Sequence, residues 1–151
     1  MPGSDWSVGD VVTHLAAGVD AYGRYLTGDP TPLLDVSDLP GGSLRSSNAA
    51  VLARETDRDP ARLTARLSRG IDRVVAEAAG RDLDERVPWH GRDERLRTML
   101  GAALGELLVH GSDLAHAAGA PWDIDAADAR LVLVNISDLL PLLVDRRPPN
   151  T

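Results

Sequence analysis

The chain reads as an all-α domain, and three observations say so. Several long stretches carry apolar residues at helical spacing, and no stretch shows the period-two alternation of a half-buried strand. The packing residues are Leu, Val and Ala: Phe is absent and aromatics make up 3% of the 151 residues. Small aliphatic side chains let helices approach closely. The expected architecture is a single domain over residues 1–151, an up-down four-helix bundle with one additional short helix.

The first helix is expected from Ser7 to Leu26, with Ser7 or Asp5 as its cap and Gly28-Asp-Pro as its stop. Val8, Val11, Val12, Leu15, Val19, Tyr22 and Leu26 form its apolar side. Gly28 to Ser43, rich in Pro, Gly and Asp, reads as a loop. A short helix follows Ser46 or Ser47 and ends near Asp57. The third begins at Pro60, a residue suited to a first helical turn, and turns Leu63, Leu67, Ile71, Val74, Val75 and Ala78 inward before ending near Ala79. Gly80 to Gly91 is expected as a second loop, containing Pro88-Trp89-His90. The fourth helix spans about Asp93 to Ala118 and stops at Gly119-Ala-Pro. The fifth starts near Asp125, is very apolar from Leu131 to Leu140, and is kinked or ended by Pro141. Gly101 and Gly105, on one side of the fourth helix, mark either a tight crossing within the molecule or a contact with a second copy.

Composition excludes several function classes. The 16 basic residues, all Arg, face 23 Asp plus Glu for a net charge of −7, and no basic cluster exists to grip a phosphate backbone. Nucleic acid is therefore not an expected partner. Cys is absent, which removes disulfides, thiolate metal sites and a Cys nucleophile. No run of eighteen apolar residues suggests a membrane span, and no basic-then-apolar signal pattern opens the chain. The expected setting is the cytoplasm.

What remains to explain is a pair of polar residues on an apolar helix. Glu106 and His110 are four apart, so on a helix they lie one above the other. The wheel places His110 within the stripe of Leu96, Met99, Leu100, Ala103, Leu107, Leu114 and Ala117, and Glu106 on its shoulder. A carboxylate and an imidazole turned toward an apolar core are costly unless paired or bound to a metal. His14 lies beside the apolar stripe of the first helix, on the flank of Gly18 and Tyr25, and the glycine leaves room next to it. Two His and a carboxylate from two helices form the ligand set of open catalytic Zn²⁺ sites, and the same set admits other divalent ions. The competing reading is a core-edge His14, with Glu106 paired to an Arg of the third helix. Around the site, Asp113 can fix the tautomer of a ligating His or simply face solvent, and Tyr25 can line a pocket or the core edge. Trp89 and His90 can form part of a lid or an ordinary surface loop. His116 is expected to face solvent.

The run Trp6-Ser-Val-Gly-Asp-Val-Val-Thr-His14-Leu resembles the opening motif of the mycothiol-dependent maleylpyruvate isomerase N-terminal domain, a branch of the DinB-like metal-binding bundles. Glu106-Leu-Leu-Val-His110-Gly-Ser-Asp113-Leu-Ala resembles the second metal motif of the same family. The resemblance spans Trp6 to about Leu143 and implies a DinB-like bundle with a divalent metal, usually zinc, held by His14, Glu106 and His110. It also implies mycothiol or a similar thiol as cosubstrate. The chain departs from the pattern at three places. Only Met1 to Asp5 precede Trp6 where relatives have a helix, so either the start is truncated or a neighbouring chain fills the vacant groove, as in a homodimer. The chain stops at Pro148-Pro-Asn-Thr151 where the isomerase has a further domain, which weighs against maleylpyruvate as the substrate. Ser112 stands where relatives often carry Trp.

The expected function is thus a metal-dependent, thiol-using transferase or isomerase acting on a small electrophile. Hydrolytic chemistry through metal-activated water, a non-catalytic metal-binding or interaction domain, and a metal-free pocket for an apolar ligand are its alternatives.

Overall fold

The computed structural model describes residues 5–29 and 44–139, the side chains of 44–47 and 138 excepted. Within them lie five α-helices and one small hairpin: α1 Val8–Leu26, α2 Leu44–Arg54, α3 Pro60–Ala78, β1 Arg86–Trp89, β2 Arg92–Arg95, α4 Leu96–Ala118 and α5 Ala126–Ile136, with a single 3-10 turn over Ser137–Leu139. The loop at 30–43 and the break at Pro141 fall outside the described residues.

Ser7, not Asp5, caps α1. Its hydroxyl accepts from the Asp10 N–H at 3.1 Å, and the Asp10 carboxylate accepts from the Ser7 N–H at 3.0 Å, so each end of the first turn satisfies the other. α3 starts as expected, with Asp59 capping and Pro60 in the first turn.

α1 and α3 run parallel. Val19 meets Gly70, Gly23 meets Arg73, and the Leu26 carbonyl accepts from Arg81 just beyond α3. The short α2 is the return between them. Val51 packs on Ala17, while Arg58 beyond its end reaches back to donate to Thr13 at 3.3 Å and to the Leu52 carbonyl at 2.9 Å. α4 then runs antiparallel to α1, and α5 antiparallel to α4, with Gly105 against Val132 and Gly101 against Asn135. The two glycines of α4 thus serve a tight crossing inside the molecule.

The hairpin corrects the expectation of a loop over Gly80–Gly91 and of no strands. Arg86 pairs with Arg95 and Trp89 with Arg92, in antiparallel register. Because 92–95 pair as a strand, α4 begins at Leu96 and not at Asp93. Its first turn is capped by backbone: Leu96 N–H donates to the Glu85 carbonyl and Arg97 N–H to that of Leu83, each at 3.0 Å. α2 likewise begins at Leu44, ahead of Ser46.

The main core gathers Ala21, Tyr25, Leu26, Val87, Leu96 and Met99 where α1, β1 and the start of α4 meet. Three expected core residues lie outside: Val8 at 50% exposed, Val75 at 64%, and Ala117 near the end of α4. Val75 is displaced because Gly70 turns the α3 seam onto Val19, leaving Val75 on the water side. α5 has no buried residue among those described, although it is rich in apolar residues from Leu131 to Ile136.

Candidate metal centre and cavity

His14 and His110 face each other because α1 and α4 cross antiparallel at this height. His14 Nε2 lies 3.1 Å from Glu106 Oε2, and His110 Nε2 lies 3.3 Å from the same oxygen. One donor atom from each of the three residues falls within a sphere where all separations are at most 4.8 Å, an arrangement able to hold a metal ion. The two imidazoles stand edge to face, ring centres 5.2 Å apart. Glu106 therefore pairs with histidines and not with an Arg of α3. Arg66, the α3 arginine nearest the core, is occupied by Asp20 at 2.6 Å and Glu55 at 2.7 Å.

Electrostatics follow from this geometry. The imidazole of His110, then that of His14, holds the Glu106 carboxyl down to about 2, against the opposing effect of burial. The hydrogen bond to Glu106 raises His110 above the ordinary histidine value, with burial opposing and Asp113 adding to the rise. Asp113 Oδ2 sits 3.2 Å from His110 Nδ1, so it occupies the ring nitrogen that points away from the cluster. That contact favours the tautomer whose Nε2 is free to act as a ligand.

Trp6 completes the surroundings, and sequence reasoning saw it only as part of a motif. Its indole stacks on His110 with ring centres 6.1 Å apart and tilts against His14 at 5.1 Å. The residue lies in the extended segment just before the Ser7 cap, where no helical period could assign it a direction.

Behind the cluster opens a cavity of about 670 Å³ between α1, α4 and α5, bordered also by Asn48 and Val51 of α2 and by the hairpin turn at the end away from the cluster. Its size is that of a small-molecule site. Half of the Glu106 side chain, 48%, is reached by water through this opening, whereas His14 and His110 are 15% and 20% exposed. Gly18 lines the wall one turn from His14, and a Cβ placed there would meet nothing within 4 Å, so the expected room is present. Tyr25 is both things the sequence allowed: it is 2% exposed within the main core and it borders the cavity. Tyr22, counted from sequence only as part of the apolar side, also lines it. Burial first, and then the charge of Glu106, pushes its phenol well above the ordinary tyrosine value, so it stays protonated.

Trp89 and His90 border the cavity, Trp89 half-buried and His90 exposed at the hairpin turn. Trp89 sets its ring 5.0 Å from that of His90, which in turn meets Tyr25 edge-on at 5.8 Å. His116 faces solvent, as expected.

A family model described as the mycothiol maleylpyruvate isomerase N-terminal domain matches residues 2–115. The chain belongs to this family. The match runs from before Trp6 to Ala115 in α4, so His14, Glu106, His110 and Asp113 all fall inside it, while α5 lies beyond. No curated protein and no solved structure matches the chain. Among the described residues, no helix is long and apolar enough to cross a membrane.

Proposed function

We propose that this mycothiol maleylpyruvate isomerase-type domain is a metal-dependent enzyme that uses mycothiol, or a thiol like it, for transfer to or isomerisation of a small electrophile. The observation that carries the reading is the convergence of two imidazoles and one carboxylate at the head of an apolar cavity, with a side of the cluster left open to that cavity.

The donor set fits a divalent ion. Ligand atoms about 2.0–2.1 Å from a tetrahedral ion lie roughly 3.3 Å from one another. The two Nε2–Oε2 separations, 3.1 and 3.3 Å, match that edge. His14, Glu106 and His110 would hold the ion; two imidazoles and a carboxylate admit several divalent ions, and we propose zinc because the family resemblance implies it. When bound, a divalent cation supplies Lewis acidity that favours the thiolate form of a thiol at neutral pH.

The chain's own groups prepare that chemistry. Asp113 orients His110, and Trp6 packs its indole against both imidazoles. Leu15, Val19, Leu107 and Ile136 give the electrophile an apolar enclosure, and Tyr22, kept protonated, offers a hydrogen-bond donor there. A reduced low-molecular-weight thiol as cosubstrate goes with a cytoplasmic setting. A homodimer is part of the same proposal, supported by Leu131 and Val134, which stand 54% and 62% exposed on α5.

Elemental analysis of purified protein beside His14→Ala and His110→Ala tests the ligand set. Near-stoichiometric metal in the wild type and its loss from both variants is the expected result. Equal metal content in all three would remove the assignment. Thiol consumption with a panel of electrophiles then tests the chemistry: turnover that requires both thiol and metal supports it, and turnover without thiol points to water activation.

A further inference from the structure

The hairpin turn is built from an unexpected residue. Trp89 and Arg92 are the last paired residues, which leaves His90-Gly91 as a two-residue turn with φ of 49° and 74°. Two positive φ values in succession are those of a type I′ turn, where Asn, Asp or Gly ordinarily takes the first position. His90 is the one non-glycine with positive φ among the described residues. A side chain held in this sparsely populated region directs attention to what it does.

That side chain borders the cavity at the end opposite the metal cluster. Tyr25 lies about three helical turns from His14, roughly 16 Å along α1, and His90 packs edge-on against it. His90 is exposed at the turn; among the described residues neither of its ring nitrogens has a protein hydrogen-bonding partner, and its ring lies edge-on to those of Tyr25 and Trp89. Burial lowers its pKa below the ordinary histidine value, with the charge of Glu106 opposing, so at neutral pH the ring is uncharged. An uncharged imidazole offers one N–H donor and one acceptor. Arg92, which also borders the cavity, is 55% exposed and holds Glu94 through Nε at 3.0 Å. A carbonyl oxygen at this end of the cavity finds a neutral donor in His90.

We propose that His90 is a substrate-binding residue, whose imidazole hydrogen-bonds a carbonyl oxygen of a largely apolar electrophile lying between it and the His14–Glu106–His110 cluster. The assignment rests on the enzymatic reading above and narrows it to a substrate class. The backbone cost of the turn is accepted in exchange for an imidazole at this point, which neither Asn nor Gly supplies.

The test uses two probes of similar shape, 4-phenylbutan-2-one and n-butylbenzene, titrated against the full chain and followed by NMR shifts of the cavity residues. His90→Asn and His90→Gly both suit a positive φ, so each keeps or raises the melting temperature. Each is expected to weaken ketone binding about five- to tenfold while leaving the hydrocarbon within about twofold of wild type. Metal content stays at the wild-type value in both. Absence of ketone binding to the wild type, unchanged ketone affinity in both variants, or an equal loss for ketone and hydrocarbon would overturn the assignment. Because these probes need neither thiol nor turnover, failure of the thiol chemistry would show separately.

Discussion

The two helix pairs of this domain use one device to opposite ends. α1 and α3 approach through Gly70, where a Cβ would lie 2.5 Å from Val19 Cγ2, and α4 and α5 approach through Gly101, where it would lie 2.7 Å from Asn135 Cβ. In the first pair the contact is locked from several sides. Arg66 of α3 bridges Asp20 of α1 and Glu55 beyond α2, and Arg58 ties the same linker to Thr13, next to His14. In the second pair α5 packs on α4 with no buried side chain of its own among the described residues, and the space beside it is the cavity. One pair fixes His14 in place. The other is a wall that leaves volume.

Four substitutions would break or sharpen this contrast. The largest loss of stability is expected from Gly70→Ala. The new methyl must displace the buried, β-branched Val19, and about 2 kcal/mol of overpacking remains after the gain in helix propensity. Urea unfolding of this variant should show a lower midpoint at an unchanged slope. Next, on the open side, Asp113→Asn removes the carboxylate that orients His110 and should weaken metal binding about tenfold with little change in unfolding, as read by competition with a chelator.

Arg66→Met should cost about 1 kcal/mol at pH 7, since its partners are partly exposed and screened. The sign of its pH dependence is fixed by Glu55, whose carboxyl Arg66 holds below the ordinary value. That contribution is fully present above the unfolded value of about 4.3 and fades as pH falls through the lower folded value. The wild-type advantage over the variant should therefore shrink as pH falls below about 4.3. The smallest effect is expected from Gly101→Ala. α5 can shift outward, so global unfolding should change by less than about 0.5 kcal/mol, while hydrogen exchange of α5 accelerates. A loss as large as that of Gly70→Ala would show that both pairs are equally locked.

How far the sequence carried depended on where each signal resides. The starts of α1 and α3 and the end of α4 were legible because their signals are local: Ser7, Pro60 and Gly119 act within one turn. The grouping of His14, Glu106 and His110 was one of two readings that the residue pattern left open, and the resemblance of the two motifs, not periodicity, set it above a core-edge His14. The hairpin was not. Arg-Val-Pro-Trp and Arg-Asp-Glu-Arg are too short and too charged to show alternation, and only the two-residue turn His90-Gly91 could have signalled it. Because the hairpin was missed, so was the placement of Trp89 and His90 against the cavity. The apolar content of α5 was equally misleading as a guide to burial: a hydrophobic stripe states that a helix can be covered, and only neighbours decide whether it is.

With three tryptophans and no phenylalanine, the chain carries a set of optical reporters that nature has already spaced out. Trp6 rests on the two imidazoles, Trp89 borders the cavity, and Trp122 covers Gly111 near the handover from α4 to α5. Replacing two at a time would isolate one indole emission per region, and quenching by a protonated imidazole would register at Trp6 first. Loading, ligand entry and wall movement then become three separately timed fluorescence signals in a single unlabelled molecule.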